Sequence, residues 1–312
     1  MSKRVIITGA TGFIGNALCR ELIQGRYEVV GLSRGPEMGK ALLPNQVKVV
    51  KWDTQSSEGW ADYADGAYAI VNLAGENIAS GTWTTERKQR ILQSRLDAGK
   101  AVVEAVEKVK TKPQVVIQSS GIGYYGDSGD EIVDETSPPG SGFLVEVAKQ
   151  WEKTTQEVES MGVRHVVIRT GVVLGEEGGF LSRIIPPYRF FLGGYMGSGK
   201  QWIPWIHIDD EAKAIRFLME KKDLQGVFNL TAPNPITSRD FSKVLGKAMK
   251  KPAWLPVPGF VLRLFLGEMA KELILSGQRA VPKRLLESGY EFSYADAKSA
   301  LAQIPSHGKN HK

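Results

Sequence analysis

The chain has 312 residues, of which 42% are hydrophobic and 24% charged. This composition is that of a folded globular protein with room for one large domain and a smaller lobe. The net charge of +6 is modest and comes from basic residues spread along the chain, so nucleic acid is not an expected partner. A single cysteine, Cys19, excludes internal disulfides and a zinc site built from several cysteines.

No apolar run approaches the roughly 20 residues that a membrane-spanning helix needs. The longest run, Phe260–Leu266, is interrupted by Arg263. The first residues lead into a strand pattern and not into a secretory signal. We therefore expect a cytoplasmic protein, monomeric or homodimeric, with neither a membrane nor a nucleic acid as its partner.

Short apolar runs alternate with longer amphipathic segments over the first 170 residues. The runs predict strands at Val5–Thr8, Glu28–Leu32, Val47–Val50, Ala69–Leu73, Val115–Gln118 and Val163–Arg169. The segments between them predict helices at Phe13–Gln24, Thr85–Val109 and Leu144–Met161. Continuous apolar strands separated by helices are typical of a parallel sheet covered on both faces. We therefore predict an α/β fold with a doubly wound parallel sheet of six or seven strands.

After about Thr170, glycine and proline become frequent and the predicted elements become shorter. These elements are a short segment at Trp202–Ile208, a helix at Asp210–Glu220, a strand near Val227–Leu230 and a helix at Ser238–Met249. The last stretch, Phe260–Ile304, is predicted to be mostly helical. Residues from Ser306 onward are polar and are expected to be frayed.

A glycine turn follows the first predicted strand and opens the first predicted helix. Gly9 allows a sharp turn, Gly12 lets a phosphate approach the backbone, and Gly15 allows the helix to pack closely on the sheet. Free N–H groups and the positive end of the helix dipole would attract a pyrophosphate. This context predicts a Rossmann-type dinucleotide site. Its predicted residues are Gly9, Thr11, Gly12, Phe13, Ile14 and Gly15.

The end of the second predicted strand distinguishes the two nicotinamide dinucleotides. Folds that prefer NAD place an Asp or Glu there to bind the ribose 2′-hydroxyl, whereas this chain has Ser33 and Arg34. A hydroxyl and a guanidinium suit a 2′-phosphate. We therefore predict NADP(H) as the cofactor.

These predictions divide the chain into two parts. Residues 1–170 form the Rossmann core, to which segments near 203–230 return. Residues 171–312 form a smaller, mostly helical substrate lobe, which includes a C-terminal helical domain at 252–304.

Further segments match the pattern of extended short-chain dehydrogenases/reductases. The run Thr8–Gly15 resembles the family's T-G-x-x-G-x-x-G turn, Asn72–Gly75 its N-x-A-G turn, and Tyr125-Gly126 its Y-G pair. The resemblance implies that Asp53 contacts adenine. It also implies that Glu76 lies near the nicotinamide, as a base or as a cap of the next turn. The cofactor-site residues implied in this way are Asp53, Leu73, Ala74, Gly75, Glu76, Arg95 and Ser119.

Two roles remain open for Arg95: a contact to cofactor phosphate or an anionic substrate, and a place on the helix surface.

A narrower resemblance links the chain to the YfcH-like epimerase subgroup, which ends in a domain of undefined function. The segments that carry it are Gly121–Gly126, Trp151-Glu152, Gly197–Trp202 and Leu285–Phe292.

The same family performs its chemistry with Ser or Thr, and with Tyr and Lys in a Y-x-x-x-K helix. Here Lys149 is present but valine occupies the tyrosine position, at Val145. Valine cannot transfer a proton, so the standard mechanism cannot run unchanged. The family's Ser/Thr position falls on Gly121, and Ser120 is one residue earlier. The remaining candidate catalytic residues are Ser120, Tyr124 and Tyr125, with Lys149 in support; the alternative for the two tyrosines is packing against the cofactor and the loop.

Two functions stay open. One is an NADP(H)-dependent oxidoreductase or epimerase that acts on a small-molecule carbonyl or hydroxyl substrate, nucleotide sugars being implied by the family alone. The other is a non-catalytic NADP(H)-binding regulator, which the valine at position 145 favours. No group of histidines and carboxylates has metal-ligand spacing, so no metal site is predicted.

Overall fold

The computed structural model describes residues 3–176 and 178–303. Its strands are, in chain order, β1 (Arg4–Thr8), β2 (Glu28–Ser33), β3 (Lys48–Lys51), β4 (Ala69–Asn72), β5 (Val115–Gly121), β6 (Ile132–Val133), β7 (Arg164–Thr170), β8 (Val172–Gly175), β9 (Gly178–Gly179), β10 (Trp202–Ile203), β11 (Trp205–His207), β12 (Gly226–Leu230), β13 (Ile236–Thr237) and β14 (Arg279–Ala280). Its α-helices are α1 (Phe13–Gln24), α2 (Pro36–Leu42), α3 (Thr85–Lys108), α4 (Phe143–Lys153), α5 (Leu181–Arg189), α6 (Ile208–Glu220), α7 (Ser238–Met249), α8 (Gly259–Leu266), α9 (Glu268–Ala270), α10 (Lys283–Glu287) and α11 (Ala297–Leu301).

Seven of these strands form one sheet in the order β12-β7-β5-β4-β1-β2-β3, and every pair in it is parallel. Strand β1 lies between β2 and β4, so the chain leaves β1 toward one edge and later returns to its other side. In such sheets ligands bind beyond the carboxyl ends of the strands at this switch point. The predicted doubly wound parallel sheet is confirmed.

Helices cover the sheet on both faces, which explains why its strands are apolar throughout. On one face α1 and α6 pack together, with Leu18 and Leu218 in their shared core. On the other face α3 packs over the sheet, with Val102 beside the buried Trp52 and Trp60. The two cores make the sheet a rigid base for residues at its carboxyl edge.

The helix predicted at Leu144–Met161 ends earlier, at Lys153, and a 3₁₀ turn covers Gln156–Met161. The buried Thr155 hydroxyl lies within hydrogen-bonding distance of Gln118 Oε1, 3.1 Å away, and of the His165 ring. Hydroxyls that bond outside the helix compete with regular helical structure. Those two partners lie in β5 and β7, and the neighbouring Thr154 hydroxyl donates to the Trp151 carbonyl oxygen of the last helical turn at 2.6 Å.

The C-terminal segment, residues 252–303, is helical as predicted, although its helices are short and β14 pairs with β6. The buried Asp210 of α6 attaches it to the core, because its carboxylate accepts the backbone N–H groups of Ser293 and Tyr294 at 2.8 Å. Glu272 makes a second attachment, accepting the N–H groups of Phe143 and Leu144 in the first turn of α4. A carboxylate stabilises a helix N-terminus. In the described part of the chain, no helix has the length and apolar character needed to cross a membrane.

Glu211, next to Asp210 in α6, is fully buried. The Thr170 hydroxyl donates to its Oε1 at 2.7 Å, whereas Oε2 has no hydrogen-bond partner among the described residues. Burial raises the pKa of this carboxyl to about 8. The folded protein therefore holds a neutral carboxyl over a pH range in which the unfolded chain is ionised.

Glu211→Gln is expected to remove this pH dependence. Because the folded-state pKa lies above the ordinary value of 4.5, the stability from the protonated carboxyl is complete below about pH 4.5 and is lost as the pH rises to about 8. The variant should have a higher free energy of unfolding at pH 8, by a few kcal/mol and at most about 5 kcal/mol, and an equal one at pH 4. Chemical denaturation across this range measures it. Glu58→Gln, an exposed change, is the control, and parallel curves for wild type and Glu211→Gln would contradict the prediction.

Candidate active site

The glycine turn lies between β1 and α1 at the switch point of the sheet. Gly9 has φ +67°, and a Cβ there would lie 3.0 Å from the backbone of Leu73. A Cβ on Gly15 would lie 2.3 Å from the Gly9 carbonyl oxygen. Helix α1 begins after Gly12 with no side chain capping its N-terminus. The turn therefore presents unblocked backbone at a helix N-terminus, which fits a phosphate group.

The other predicted residues of this turn have different surroundings. The Phe13 ring packs against the glycine backbone of β9, and Ile14 packs against the core under α1. Thr11 is half-buried. Phe13 and Ile14 therefore fix the start of α1 with their side chains, and any contact with a ligand from them would come from the backbone.

A chain of buried polar side chains joins this turn to the loop after β4. The Thr8 hydroxyl donates to Asn72 Oδ1 at 2.6 Å and accepts the N–H groups of Leu73 and Ala74 at 3.1 Å. Asn72 Nδ2 in turn donates to Gln118 Oε1 of β5 at 2.9 Å. These bonds fix the ends of β1, β4 and β5 relative to one another, since buried polar groups need their partners.

Gly75 and Glu76 continue the loop after β4. Arg95 is buried, and its Nη1 donates to the Glu76 carbonyl oxygen at 3.0 Å and to that of Ile91 at 2.8 Å. Gly75 lies against this side chain, so a Cβ would approach the guanidinium to 3.0 Å. The Glu76 carboxylate pairs with Arg87 at 2.7 Å. Both charged groups are thus bonded within the protein, and their predicted contacts with a ligand stay predictions.

Three predicted residues lie at the ends of β2 and β3, where the adenosine half of a dinucleotide would bind. The Ser33 hydroxyl donates to the Gly35 carbonyl oxygen at 3.1 Å. Arg34 is exposed and makes no hydrogen bond or ion pair with the residues that the structure describes. Asp53 accepts the N–H groups of two following residues, which lowers the pKa of its carboxyl. This edge therefore carries the unpaired guanidinium of Arg34, the hydroxyl of Ser33 and the carboxylate of Asp53, which backbone hydrogen bonds hold in place.

A second polar network lies at the carboxyl ends of β5, β7 and β12. The Ser120 hydroxyl donates to Glu152 Oε1 at 2.7 Å. Arg169 donates to both oxygens of Glu152, at 2.8 and 2.9 Å, and to the Tyr125 hydroxyl at 3.0 Å. The Tyr125 hydroxyl donates to Asn229 Oδ1 at 2.8 Å. The side chains of Arg169 and Glu152 are only 4% and 13% exposed, so this is a buried ion pair, and we call these five residues the Ser120–Asn229 network.

The two neighbouring tyrosines have different environments. Tyr125 is buried, and burial raises the pKa of its phenol although Arg169 opposes the shift. Tyr124 is half-buried, and the Arg169 guanidinium lies 3.3 Å from the centre of its ring. No described residue forms a hydrogen bond with the Tyr124 hydroxyl. Tyr124 is thus the phenol in this group whose hydroxyl is free for a ligand.

The helix α4 supplies Glu152 to the network, whereas its other predicted residue lies apart. Lys149 is paired with Glu146 at 3.0 Å, and both side chains are substantially exposed. Val145 is buried and carries no polar atom on its side chain. Ser119 is buried in β5. The structure therefore brings Ser120, Tyr124 and Tyr125 together and leaves Lys149 bonded elsewhere.

Sequence reasoning did not assign a role to Glu152, Arg169 or Asn229. Glu152 entered only as part of a matching segment. The missed signal was a polar residue at or near the end of an otherwise apolar strand, which Arg169 in β7 and Asn229 in β12 both show. Among the described residues, no group of histidine, cysteine and carboxylate side chains is placed to hold a metal ion.

The parallel sheet, the glycine turn at its switch point and the polar network at its carboxyl edge define a Rossmann-type protein with the organisation of extended short-chain dehydrogenases/reductases. Residues 5–231 match the NAD dependent epimerase/dehydratase family, and residues 257–304 match a domain of unknown function, DUF1731. The chain belongs to the NAD dependent epimerase/dehydratase family. The predicted family and its C-terminal domain are confirmed.

Relatives and solved structures agree with this assignment. The chain is 41% identical to the epimerase family protein YfhF of Bacillus subtilis, covering 96% of this chain and 97% of that one. It is similar to the crystal structure of the human epimerase family protein SDR39U1 (isoform 2) with NADPH, with a TM-score of 0.88 and 34% identity over 96% and 98% of the two chains. The UDP-glucose 4-epimerase of Thermus thermophilus has a TM-score of 0.77 at 18% identity, covering 96% and 97%, and shares the fold.

Thr8→Val is expected to lower the free energy of unfolding by about 1–3 kcal/mol. Valine keeps the shape of threonine but leaves Asn72 Oδ1 and the buried Ala74 N–H without their partner, whereas the Leu73 N–H keeps the Thr8 carbonyl oxygen at 3.3 Å. Urea denaturation measures the change. Thr11→Val, the same replacement at a half-buried site in the next turn, is the control and should change stability by less than about 0.5 kcal/mol. An equal effect of the two replacements would show that the Thr8 hydroxyl has no special role.

Proposed function

We propose that this chain binds NADP(H) along the carboxyl edge of the sheet, with the pyrophosphate at the N-terminus of α1. The observation that carries the proposal is the uncapped helix start behind Gly12, where the backbone is open to a phosphate. The exposed Arg34 beside Ser33 supports the 2′-phosphate form, since a guanidinium pairs well with phosphate. The human relative crystallised with NADPH also supports it.

Arg34→Ala is expected to weaken NADPH binding about 10- to 100-fold, because a charge-assisted hydrogen bond to the 2′-phosphate is lost. NADH lacks that phosphate, so its affinity should not change. Titration of protein fluorescence with both cofactors measures the two affinities. Arg26→Ala, an exposed arginine at the opposite edge of the sheet, is the control. Equal losses for NADH and NADPH, or wild-type protein that binds NADH as tightly as NADPH, would exclude this role of Arg34.

We further propose that the chain is an oxidoreductase or epimerase acting on a small carbonyl or hydroxyl compound. The bound nicotinamide would give or take the hydride, and the protein would orient the substrate and move its proton. Ser120 donates its own proton to Glu152, which leaves the lone pairs of its oxygen to accept from a substrate hydroxyl. Tyr124, with its free hydroxyl, is the proton donor for a substrate carbonyl oxygen.

The alternative function is an NADP(H)-binding regulator without turnover. Val145 and the Lys149–Glu146 pair favour it, because the tyrosine and lysine of the family's usual mechanism are then missing from the site. The Ser120–Asn229 network favours the enzyme, because it holds one hydroxyl and one phenol ring at the same edge of the sheet.

Tyr124→Phe separates the two functions. We expect it to lower kcat by about 100-fold or more, the contribution of a general acid, without changing the affinity for NADPH. Tyr125→Phe is the matched change on a buried hydroxyl, and it should instead lower the free energy of unfolding by about 1–2 kcal/mol. NADPH oxidation with a panel of aldehydes and ketones measures turnover. Tight NADPH binding with no turnover on any compound would favour the regulator, and equal kinetic losses from both replacements would remove the assignment to Tyr124.

A further inference from the structure

The helix α8 is strongly apolar, yet none of its eight residues is buried. Phe260, Leu264 and Phe265 are 73–77% exposed. The segment that follows α5 is similar, since Phe190 is 74% exposed. Soluble proteins rarely leave a large contiguous apolar surface uncovered unless it binds something.

Backbone pairing joins the two apolar segments. The Leu255 N–H donates to the Gly193 carbonyl oxygen at 3.0 Å, and the Val257 N–H donates to that of Tyr195 at 2.9 Å. Helix α8 begins two residues after Val257. The two apolar segments therefore lie next to each other, and we call their exposed side chains the apolar face. Its members are Phe190, Phe191, Leu192, Trp254, Leu255, Phe260, Leu264 and Phe265.

The two segments that carry this face are basic. Residues 181–200 and 241–267 contain eight lysines and arginines and no aspartate or glutamate, whereas the remaining residues carry 32 basic against 34 acidic side chains. The two segments that carry the apolar face therefore hold the whole positive excess of the chain. Lys251 lies with its ammonium 3.7 Å from the centre of the Phe191 ring. The eight basic residues are Arg183, Arg189, Lys200, Lys243, Lys247, Lys250, Lys251 and Arg263, of which Lys243 pairs with Asp240.

We propose that the apolar face binds the surface of an anionic lipid bilayer, with α8 lying in the plane of the interface. Aromatic and leucine side chains that enter the headgroup region, surrounded by basic residues, are the features of interfacial attachment. Binding of this kind is reversible and needs no membrane-spanning helix. It would deliver an active site to substrates in or near a membrane, and it does not depend on which reaction the site performs.

Charge argues against the two other occupants. In a symmetric dimer the same patch faces itself, so the basic residues around the face would oppose one another. A nucleic acid would pair with these residues but would leave Leu192, Leu264 and the other aliphatic side chains without apolar partners. An anionic bilayer complements both the charge and the apolar surface.

Flotation of the full-length protein with vesicles tests the proposal. We expect binding to phosphatidylcholine vesicles that contain phosphatidylglycerol and weak binding to phosphatidylcholine alone, with a loss at high salt. Phe260→Ser combined with Phe265→Ser should weaken binding about tenfold or more, and Lys250→Glu combined with Lys251→Glu should abolish the preference for anionic vesicles. Met38→Ser combined with Leu42→Ser changes two exposed apolar residues of α2 and should have no effect.

Two results would overturn the proposal. One is that the wild-type protein does not float with anionic vesicles, or that the Phe260→Ser, Phe265→Ser variant floats with them as well as wild type does. The other is a dimer in sedimentation velocity that the same variant converts to a monomer, because the face would then be an interface between two copies. Circular dichroism and the melting temperature confirm that the variants are folded, which is expected because the changed side chains are exposed.

Discussion

The buried ion pair between Arg169 and Glu152 is the interaction on which the candidate site depends. Removing two charges from water costs several kcal/mol per ion, and the cost is recovered only when the remaining donors and acceptors are also bonded. Here Ser120 and Tyr125 supply those bonds, and the guanidinium also contacts the Tyr124 ring. One charge pair therefore fixes β5, α4 and β7 at the carboxyl edge of the sheet.

The C-terminal segment extends this arrangement, because it is attached to the core by buried or half-buried carboxylates and not by apolar packing alone. Asp210 holds the backbone at Ser293 and Tyr294, and Glu272 holds the first turn of α4. Glu135 accepts backbone N–H groups from β12 and from α10, and burial raises the pKa of its carboxyl. The domain of unknown function thus borders the network, where the Val281 carbonyl oxygen accepts from Asn229 Nδ2, and it binds the first turn of α4.

Local signals explain what the sequence could predict. The glycine turn needs Gly9 at positive φ and Gly15 against the backbone of Gly9. Both requirements lie within seven consecutive residues, so the local sequence is enough to predict the turn. The strands were predictable because a sheet covered on both faces demands continuous apolar runs. His207 likewise caps α6 by accepting the Asp209 N–H, and its place directly before an acidic helix start is a local signal of that role.

Long-range pairings explain what could not be predicted. Glu152 and Arg169 are seventeen positions apart and meet only because α4 packs beside the ends of β5 and β7. The local sequence around Glu152 or around Arg169 does not indicate that the two charges will pair. The apolar face has the same origin. Residues 190–192 and 254–265 lie together because Gly193 and Tyr195 pair with the backbone of Leu255 and Val257, and the hydrophobic periodicity of the sequence does not predict this pairing.

The energetic cost of the network bears on the choice between enzyme and regulator. A buried ion pair adds little to stability compared with apolar residues of similar volume. A protein that only bound a dinucleotide at α1 would therefore gain little from the Arg169–Glu152 pair at the ends of β5 and β7. What the pair does provide is a serine hydroxyl whose proton is held by a carboxylate, beside a phenol ring held by a guanidinium. Fixed positions of that kind matter for the orientation of a reacting substrate. The loss of the family's tyrosine therefore argues for a changed proton path more than for the absence of one.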